Sequence, residues 1–178
     1  MIIFTGRFQP FHNGHISFIK QLRSEFSNQL LCVAIIKDVP LSTKNEFDKT
    51  VDDKLTPDRN PFNAEITLSL INQVLKDEGI DNAIVTLMPR ASEATWDIIK
   101  TLFDCDRTWV FTQNQVDVDD WEDKKAAFYQ SMGDKVIRIP IEKNIEGTMI
   151  RQAIIDRKYD KLAAMVPKQV LNYIINHH

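Results

Sequence analysis

Short apolar runs alternate with longer amphipathic stretches along most of this chain, and no other feature restricts its fold as much. Five runs have the length and composition of buried strands, at residues 1–5, 30–36, 83–88, 108–112 and 135–139. Four stretches between them carry apolar residues at three- and four-residue spacing, at residues 13–26, 63–78, 92–103 and 118–131. Strands that alternate with helices form βαβ units around a parallel sheet. The sequence therefore predicts an α/β fold, with a doubly wound parallel sheet and helices on both faces.

Two segments fall outside this alternation. Residues 148–175 predict a short helical tail of two or three helices, interrupted at Pro167. Residues 37–60 are polar and include Pro40 and Pro57, so they predict a long loop. Loops of this length inside a domain are usually functional or mobile. Because the chain has 178 residues, we expect a single domain over residues 1–178.

Charge and composition restrict the partners of the protein. The formal net charge of -3 provides no basic field for a nucleic-acid backbone. No apolar run approaches the roughly 18 residues of a membrane span, so we expect a cytoplasmic protein. Cys32 and Cys105 lie far apart, in or beside apolar stretches, which predicts two buried side chains and no disulfide or zinc site. The sequence leaves a monomer and a homo-oligomer equally open.

The first predicted strand runs into the segment TGRFQPFHNGH, immediately before a predicted helix. Ligands of doubly wound sheets bind beyond the carboxyl ends of the strands, where a helix N-terminus offers N–H groups to a phosphate. Gly6 would allow the backbone to approach a ligand, and Gly14 would allow close packing at the helix start. His12 and His15 are three residues apart, so they point the same way on a helical turn. Together with Arg7, they predict a phosphate-binding pocket.

A zinc site and a purely structural histidine pair are the alternatives for this segment. An isolated pair of histidines at this spacing is common in proteins and carries little weight alone. A zinc shell needs further ligands, and the other two histidines, His177 and His178, are the last residues of the chain. The glycines and the change from strand to helix favour phosphate binding.

A second glycine-containing segment, EGTMIR at residues 146–151, precedes the apolar spacing of the tail. Gly147 and Thr148 indicate a helix start, and the guanidinium fork of Arg151 suits phosphate oxygens. By itself the segment favours a capped helix that carries a surface arginine. Its occurrence together with the first segment favours a second phosphate contact.

These two segments resemble the signatures of the nucleotidylyltransferase superfamily with the HxGH motif. GRFQPFHNGH at residues 6–15 is most similar to the short nicotinamide mononucleotide (NMN) adenylyltransferases of the archaeal type, and EGTMIR is similar to the second signature, S-G-T-x-I-R. The resemblance covers nearly the whole chain and implies a Rossmann-like fold. The ATP-binding residues that it implies are Gly6, Arg7, Phe8, His12, His15, Gly147, Thr148 and Arg151. Among these, the implied catalytic residues are His12, His15, Arg7 and Arg151.

Two further stretches are similar to the same family. Residues 60–64, NPFNA, match an N-P-F-x-A start to the second crossover helix. Trp96 stands where the family has a tryptophan that stacks on the nicotinamide ring, which implies acceptor binding. From the residues alone, a tryptophan at helical spacing is more often a core side chain. Stacking and packing therefore both remain open for Trp96.

The sequence departs from the family pattern at three places. Glu146 replaces the serine of the second signature, which puts a carboxylate near the expected phosphates. Glu65–Ile66–Thr67 replaces the G-E-R that follows N-P-F-x-A, so one arginine is missing, and Arg59 or Lys44 is the candidate substitute. The residues ahead of Trp96 differ from the amide-rich stretch of the family.

The resemblance implies an enzyme of NAD biosynthesis that transfers AMP from ATP to NMN or nicotinate mononucleotide and releases pyrophosphate. It implies Mg²⁺ as cofactor, and since Mg²⁺ would rest on phosphate oxygens and water, we expect no dedicated protein metal site. Catalysis of this type depends mainly on positioning and on charge stabilisation. Two alternatives stay open: a related transferase with another phosphate acceptor, and a nucleotide-binding regulatory module without turnover.

Overall fold

The alternation of strands and helices is confirmed in a computed structural model that describes residues 1–37, 60–114, 121–141 and 144–177. Within these residues the strands are Ile2–Gly6 (β1), Leu31–Lys37 (β2), Ala83–Pro89 (β3), Thr108–Asn114 (β4) and Lys135–Ile141 (β5). The helices are Asn13–Glu25 (α1), Ala64–Asp77 (α2), Trp96–Leu102 (α3), Trp121–Ser131 (α4), Gly147–Ile155 (α5), Tyr159–Met165 (α6) and Lys168–His177 (α7). A short 3₁₀ helix, Glu93–Thr95, precedes α3. Residues 38–59 of the predicted loop, including Lys44 and Arg59, lie outside the described residues.

The five strands form one parallel sheet in the order β3-β2-β1-β4-β5. In the middle of the sheet, Ile3 of β1 pairs with Cys32 of β2 on one side and with Trp109 of β4 on the other. The chain moves outward from β1 to β3 and then returns to β4, so the strand order reverses between β1 and β4. Open sheets bind ligands at this switch point, beyond the carboxyl ends of the strands.

Each face of the sheet packs against its own set of helices, which confirms the doubly wound prediction. Alternate residues of β1 point to opposite faces, as the pleat requires, so Phe4 and Ile3 belong to different hydrophobic clusters. The Phe4 face packs against α1, α2 and the C-terminal helices, through side chains such as Leu22, Val74 and Ile150. The Ile3 face packs against α3 and α4. The sheet thus lies between two hydrophobic cores, one on each face.

Local sequence signals explain several element boundaries. The side chain of Asn63 caps α2 by accepting the backbone N–H of Ile66 at 2.7 Å. Pro167 separates α6 from α7, as predicted for the helical tail. Cys32 is fully buried, but Cys105 is exposed because it lies in the turn between α3 and β4, so the prediction that both cysteines are buried is wrong. No helix in the described part of the chain is long and apolar enough to cross a membrane.

A buried ion pair joins the residues that directly precede β4 and β5, at the amino ends of these strands. The carboxylate of Asp134 accepts hydrogen bonds from Arg107 Nε at 2.5 Å and Nη2 at 2.9 Å. The same carboxylate accepts the indole N–H of Trp109 at 2.6 Å. The Arg107 and Asp134 side chains are only 14% and 10% exposed, so the pair is largely shielded from water.

Candidate active site

A cleft of about 1030 Å³ opens at the carboxyl ends of the strands, where the strand order reverses. All five strands, or the residues directly after them, contribute to its lining through Gly6, Arg7, Ile36, Arg90, Thr112 and Ile141. The N-termini of α1 and α5 open into the same cleft, through residues 12–15 and 146–148. The two sequence segments that were predicted to contact phosphate therefore face one space.

The imidazole rings of His12 and His15 stack at the N-terminus of α1, with their centroids 3.6 Å apart. The backbone N–H of His12 donates to Nδ1 of His15 at 3.2 Å. Because Nδ1 of His15 accepts this bond, the proton of its neutral ring is on Nε2, which is then a hydrogen-bond donor. The other face of the His15 ring stacks on Phe11 at 5.3 Å, and Phe8 packs edge-on at 5.0 Å. The ring is thus held in one orientation before any ligand binds.

Both histidines are neutral donors at pH 7. Burial lowers the pKa of His12 from 6.5 to about 4. Burial and, to a smaller extent, the neighbouring His12 lower the pKa of His15 well below its usual value. Nδ1 of His12 is buried and has no hydrogen-bond partner among the described residues. The pair therefore offers hydrogen bonds to an anion, and an approaching anion would favour the protonated form of either ring.

Gly14 leaves room for the His12 ring. A Cβ atom at residue 14 would lie 3.0 Å from Nδ1 and 3.1 Å from Cε1 of His12. A side chain at residue 14 would therefore crowd the ring and shift it by a few tenths of an ångström. The close packing that the sequence analysis assigned to Gly14 is thus packing against His12.

Arg7 and Phe8 complete the turn between β1 and α1. Arg7 is half-buried, lines the cleft and donates from Nη1 to Oδ1 of Asn60 at 3.3 Å. Phe8 is 3% exposed and has a φ angle of 54°, in the left-handed region. This conformation puts its ring against Phe4, Phe11 and His15, with centroids 5.3, 5.8 and 5.0 Å away. Phe8 supports the histidine while also lining the cleft.

The second segment contributes the N-terminus of α5. Glu146 and Thr148 are exposed at the cleft, and Gly147 lies between them. Arg151 is one turn further along, where Nη2 donates to Oγ1 of Thr148 at 3.1 Å and Nη1 donates to the carbonyl of Gln9 at 2.8 Å. Arg151 thus joins the two segments, and it is not among the described residues that line the cleft.

Trp96 is a core side chain in this structure. It is 3% exposed, and its ring centroid lies 5.2 Å from Tyr129, 5.8 Å from Phe128 and 6.4 Å from Trp109. Trp96 does not contribute to the cleft lining, whereas the neighbouring Tyr129 does. The packing alternative therefore accounts for its position, and stacking on an acceptor stays a prediction.

The side of the cleft formed by β3 and α4 was missed by the sequence analysis. Its polar side chains include Arg90 after β3, Thr112 of β4, and Glu122 and Lys125 of α4. Tyr129 lies beside them, and burial raises its phenol pKa far above the usual value. Arg90 carried a usable signal, because it comes two residues after the predicted strand 83–88. The carboxyl end of that strand is at the same edge of the sheet as Arg7. The α4 residues carried none, since charged side chains on an amphipathic helix usually face water.

The described residues include no group of three or more His, Cys, Asp or Glu side chains that could hold a metal ion. The carboxylates that line the cleft, Glu122 and Glu146, belong to α4 and to the segment before α5. Thr67, at the position of the missing family arginine, is 2% exposed and donates to the carbonyl of Asn63 at 2.9 Å. That position therefore supplies neither a metal ligand nor a cation.

Comparison with known proteins gives a family match over most of the chain. The model of the cytidylyltransferase-like family matches residues 3–153, a range that includes both glycine-containing segments. The nicotinamide-nucleotide adenylyltransferase of Saccharolobus solfataricus is 27% identical, and the match covers 97% of this chain and 88% of that protein. The nicotinamide-nucleotide adenylyltransferase of Thermococcus sibiricus is 26% identical, with 97% and 81% covered.

A solved structure supports the same fold. A proposed nicotinate-nucleotide adenylyltransferase from Vibrio parahaemolyticus superposes with a TM-score of 0.62, over 98% of this chain and 97% of that chain. Its sequence identity is 22%, so the similarity concerns the fold alone. The overall fold of the chain is thus shared with a solved structure.

Proposed function

The chain belongs to the cytidylyltransferase-like family, and from that premise we propose that it is an adenylyltransferase that joins AMP from ATP to NMN. The products are NAD and pyrophosphate. The observation that carries this proposal is the stacked pair of His12 and His15, which lines the same cleft as the N-terminus of α5. The near full-length similarity to two nicotinamide-nucleotide adenylyltransferases supports NMN as the acceptor.

In this reaction the 5′-phosphate of NMN attacks the α-phosphorus of ATP, and the bond to the β-phosphate breaks. The acceptor phosphate is already ionised, so no general base is needed. Phosphoryl-type transfer depends on positioning and on stabilising the charge that moves to the leaving pyrophosphate. The chain supplies neutral N–H donors from His12 and His15, and N–H groups at the starts of α1 and α5.

The remaining ATP contacts are assigned from the two segments. Gly6, Arg7, Phe8, Gly147 and Thr148 line the cleft, and we assign them to the nucleotide and its phosphates. Arg151 holds Thr148 and the carbonyl of Gln9, so we expect it to set the position of α5 as well as to add positive charge.

Mg²⁺ fits this site as an ion that accompanies ATP. The described residues form no metal cage, and Glu146 provides one exposed carboxylate at the cleft edge near the start of α5. The ion would rest on phosphate oxygens and water, with Glu146 as the adjacent protein oxygen, and it would neutralise charge on the triphosphate. This arrangement relieves the repulsion between Glu146 and the phosphates.

The test is an assay of pyrophosphate and dinucleotide formation from ATP and Mg²⁺ with a panel of acceptors. We expect turnover with NMN, and the panel includes nicotinate mononucleotide, phosphopantetheine and a sugar phosphate. His15→Ala should lower kcat by about 100- to 1,000-fold, the usual effect of losing one transition-state donor. His177→Ala is the matched control, because His177 is exposed and is not among the residues that line the cleft.

Three results would contradict the proposal in different ways. Turnover with another acceptor alone would assign the chain to a related transferase. ATP binding without pyrophosphate release, whatever the acceptor, would indicate a regulatory module. Full activity of His15→Ala would remove the assigned role of the histidine pair.

A further inference from the structure

Two cations, Arg90 and Lys125, line the cleft on the side formed by β3 and α4. This side lies across the sheet from the helices that carry the histidines, because α3 and α4 pack on the opposite face from α1 and α5. An acceptor must approach the α-phosphorus in line with the leaving pyrophosphate, so it needs its own binding side. Because the two glycine-containing segments are assigned to ATP, the β3 and α4 side is the remaining described part of the cleft for the acceptor.

The charge of Lys125 is already matched within the protein. Its Nζ lies 3.2 Å and 3.4 Å from the two carboxylate oxygens of Glu122. The side chain is 8% exposed, and Nζ also lies 4.9 Å from the centroid of the Phe111 ring. Lys125 therefore contributes to packing and to a local ion pair.

Arg90 differs from Lys125 both in its exposure to the cleft and in the absence of a charge partner among the described residues. It is half-buried at the cleft, and its guanidinium has no hydrogen bond or ion pair with any described residue. A partly desolvated cation without a partner is unfavourable in the protein alone, and binding of an anion relieves that cost. The guanidinium fork matches the oxygens of a phosphate in a bidentate contact.

The backbone at Arg90 is fixed, so its side chain starts from a defined position. The carbonyl of Arg90 accepts the hydroxyl of Thr95 at 2.6 Å. Thr95 also accepts the backbone N–H of Ser92 at 3.0 Å, and the N–H of Thr95 donates to Oγ of Ser92 at 3.2 Å. Ser92 and Thr95 are both 5% exposed, which protects this turn from water.

We propose that Arg90 binds the 5′-phosphate of the acceptor and aims it at the α-phosphorus of ATP. This inference rests on the proposed function, since it assumes an acceptor that carries a phosphate. It makes Arg90 the residue that distinguishes a mononucleotide from the corresponding nucleoside. Lys125, with its charge matched by Glu122, does not take that role.

The test compares two ligands that differ only in the phosphate, NMN and nicotinamide riboside. Dissociation constants for both, and for ATP with Mg²⁺, are measured by calorimetry or by competition for the wild type, Arg90→Met and Arg90→Lys. Arg90→Met should bind NMN about 10- to 100-fold more weakly, as expected for a lost charged hydrogen bond, with riboside and ATP unchanged. Arg90→Lys should recover part of the loss, because it keeps the charge without the fork.

Lys100→Met is the matched control, because Lys100 on α3 forms its 2.6 Å ion pair with Asp97 at the surface. It should change none of the three constants. Equal losses for NMN and riboside in Arg90→Met, a loss for ATP, or unchanged NMN affinity would each overturn the role of Arg90. If the wild type forms no dinucleotide with NMN, the proposed function itself fails, so the two failures are distinguishable.

Discussion

The low pKa of His12 makes the stability of this protein depend on pH in a predictable direction. In the unfolded chain the imidazole has its ordinary pKa of 6.5, whereas burial lowers the folded value to about 4. Above pH 6.5 the ring is neutral in both states, and its contribution to stability is fully present. As pH falls from 6.5 to 4, the unfolded chain takes up a proton that the folded chain resists, so folded-state stability is lost.

The size of the effect follows from these two values. Between pH 7 and pH 5, His12 alone should lower the free energy of unfolding by about 2 kcal/mol. His15 adds to the loss, because its pKa is also lowered. The substitution His12→Asn removes the titrating ring and places a favoured N-cap residue at the N-cap of α1.

Urea unfolding of the wild type and His12→Asn at pH 7 and pH 5 measures this contribution. The pH-dependent part of the unfolding free energy should be smaller by about 2 kcal/mol in the variant, whatever its absolute stability. His177→Ala serves as the control for the loss of a histidine outside the cleft lining. Identical pH dependence in the wild type and His12→Asn would refute the burial of a neutral His12.

Three further predictions concern packing around the site and the core. Gly14→Ala should lower kcat at least tenfold while the protein stays folded, because the new Cβ would lie 3.0 Å from Nδ1 of His12; steady-state kinetics with circular dichroism tests this. Trp96→Ala should lower the free energy of unfolding by about 3–5 kcal/mol in denaturant titrations, and weakened NMN binding without a stability loss would favour stacking instead. Asp134→Ala should cost about 3–5 kcal/mol because it leaves the charge of Arg107 buried and unpaired. A thermal transition unchanged from wild type would contradict this last estimate.

The fold could be predicted from sequence because strand and helix signals agree along the chain. Both ends of each predicted strand lie within two residues of the ends of an observed strand. Pro167 interrupts the helical tail as expected. The error at Cys105 arose because apolar neighbours indicate burial only inside a regular element, and this residue lies in a turn. Sequence spacing also could not decide between packing and stacking for Trp96, since both use an aromatic ring on the inner face of a helix.

The candidate site was predictable where its residues are close together in sequence. His12, His15 and Gly14 occur within four positions of one another, so their proximity follows from a single helical turn. Arg90 and Lys125 reach the same cleft only through the order of the strands and the packing of α4. Such contacts depend on tertiary structure. The place of Arg90 after a predicted strand was a local signal for it, whereas Lys125 had none.

Gln9 explains how two segments separated by more than a hundred residues are held at one cleft. Its carbonyl accepts the 2.8 Å hydrogen bond from Arg151, and a Cβ at Gly147 would lie 3.4 Å from that oxygen and 3.0 Å from Nη1 of Arg151. Gly147 and Arg151 therefore act together, since a side chain at residue 147 would crowd this contact. The Gln9 side chain meanwhile donates to the carbonyl of Phe62 at 2.7 Å and accepts its N–H at 3.1 Å. The turn after β1 thus fixes the start of α5 and the segment before α2 together, so the proposed phosphate-binding geometry depends on Gln9 although its side chain does not line the cleft.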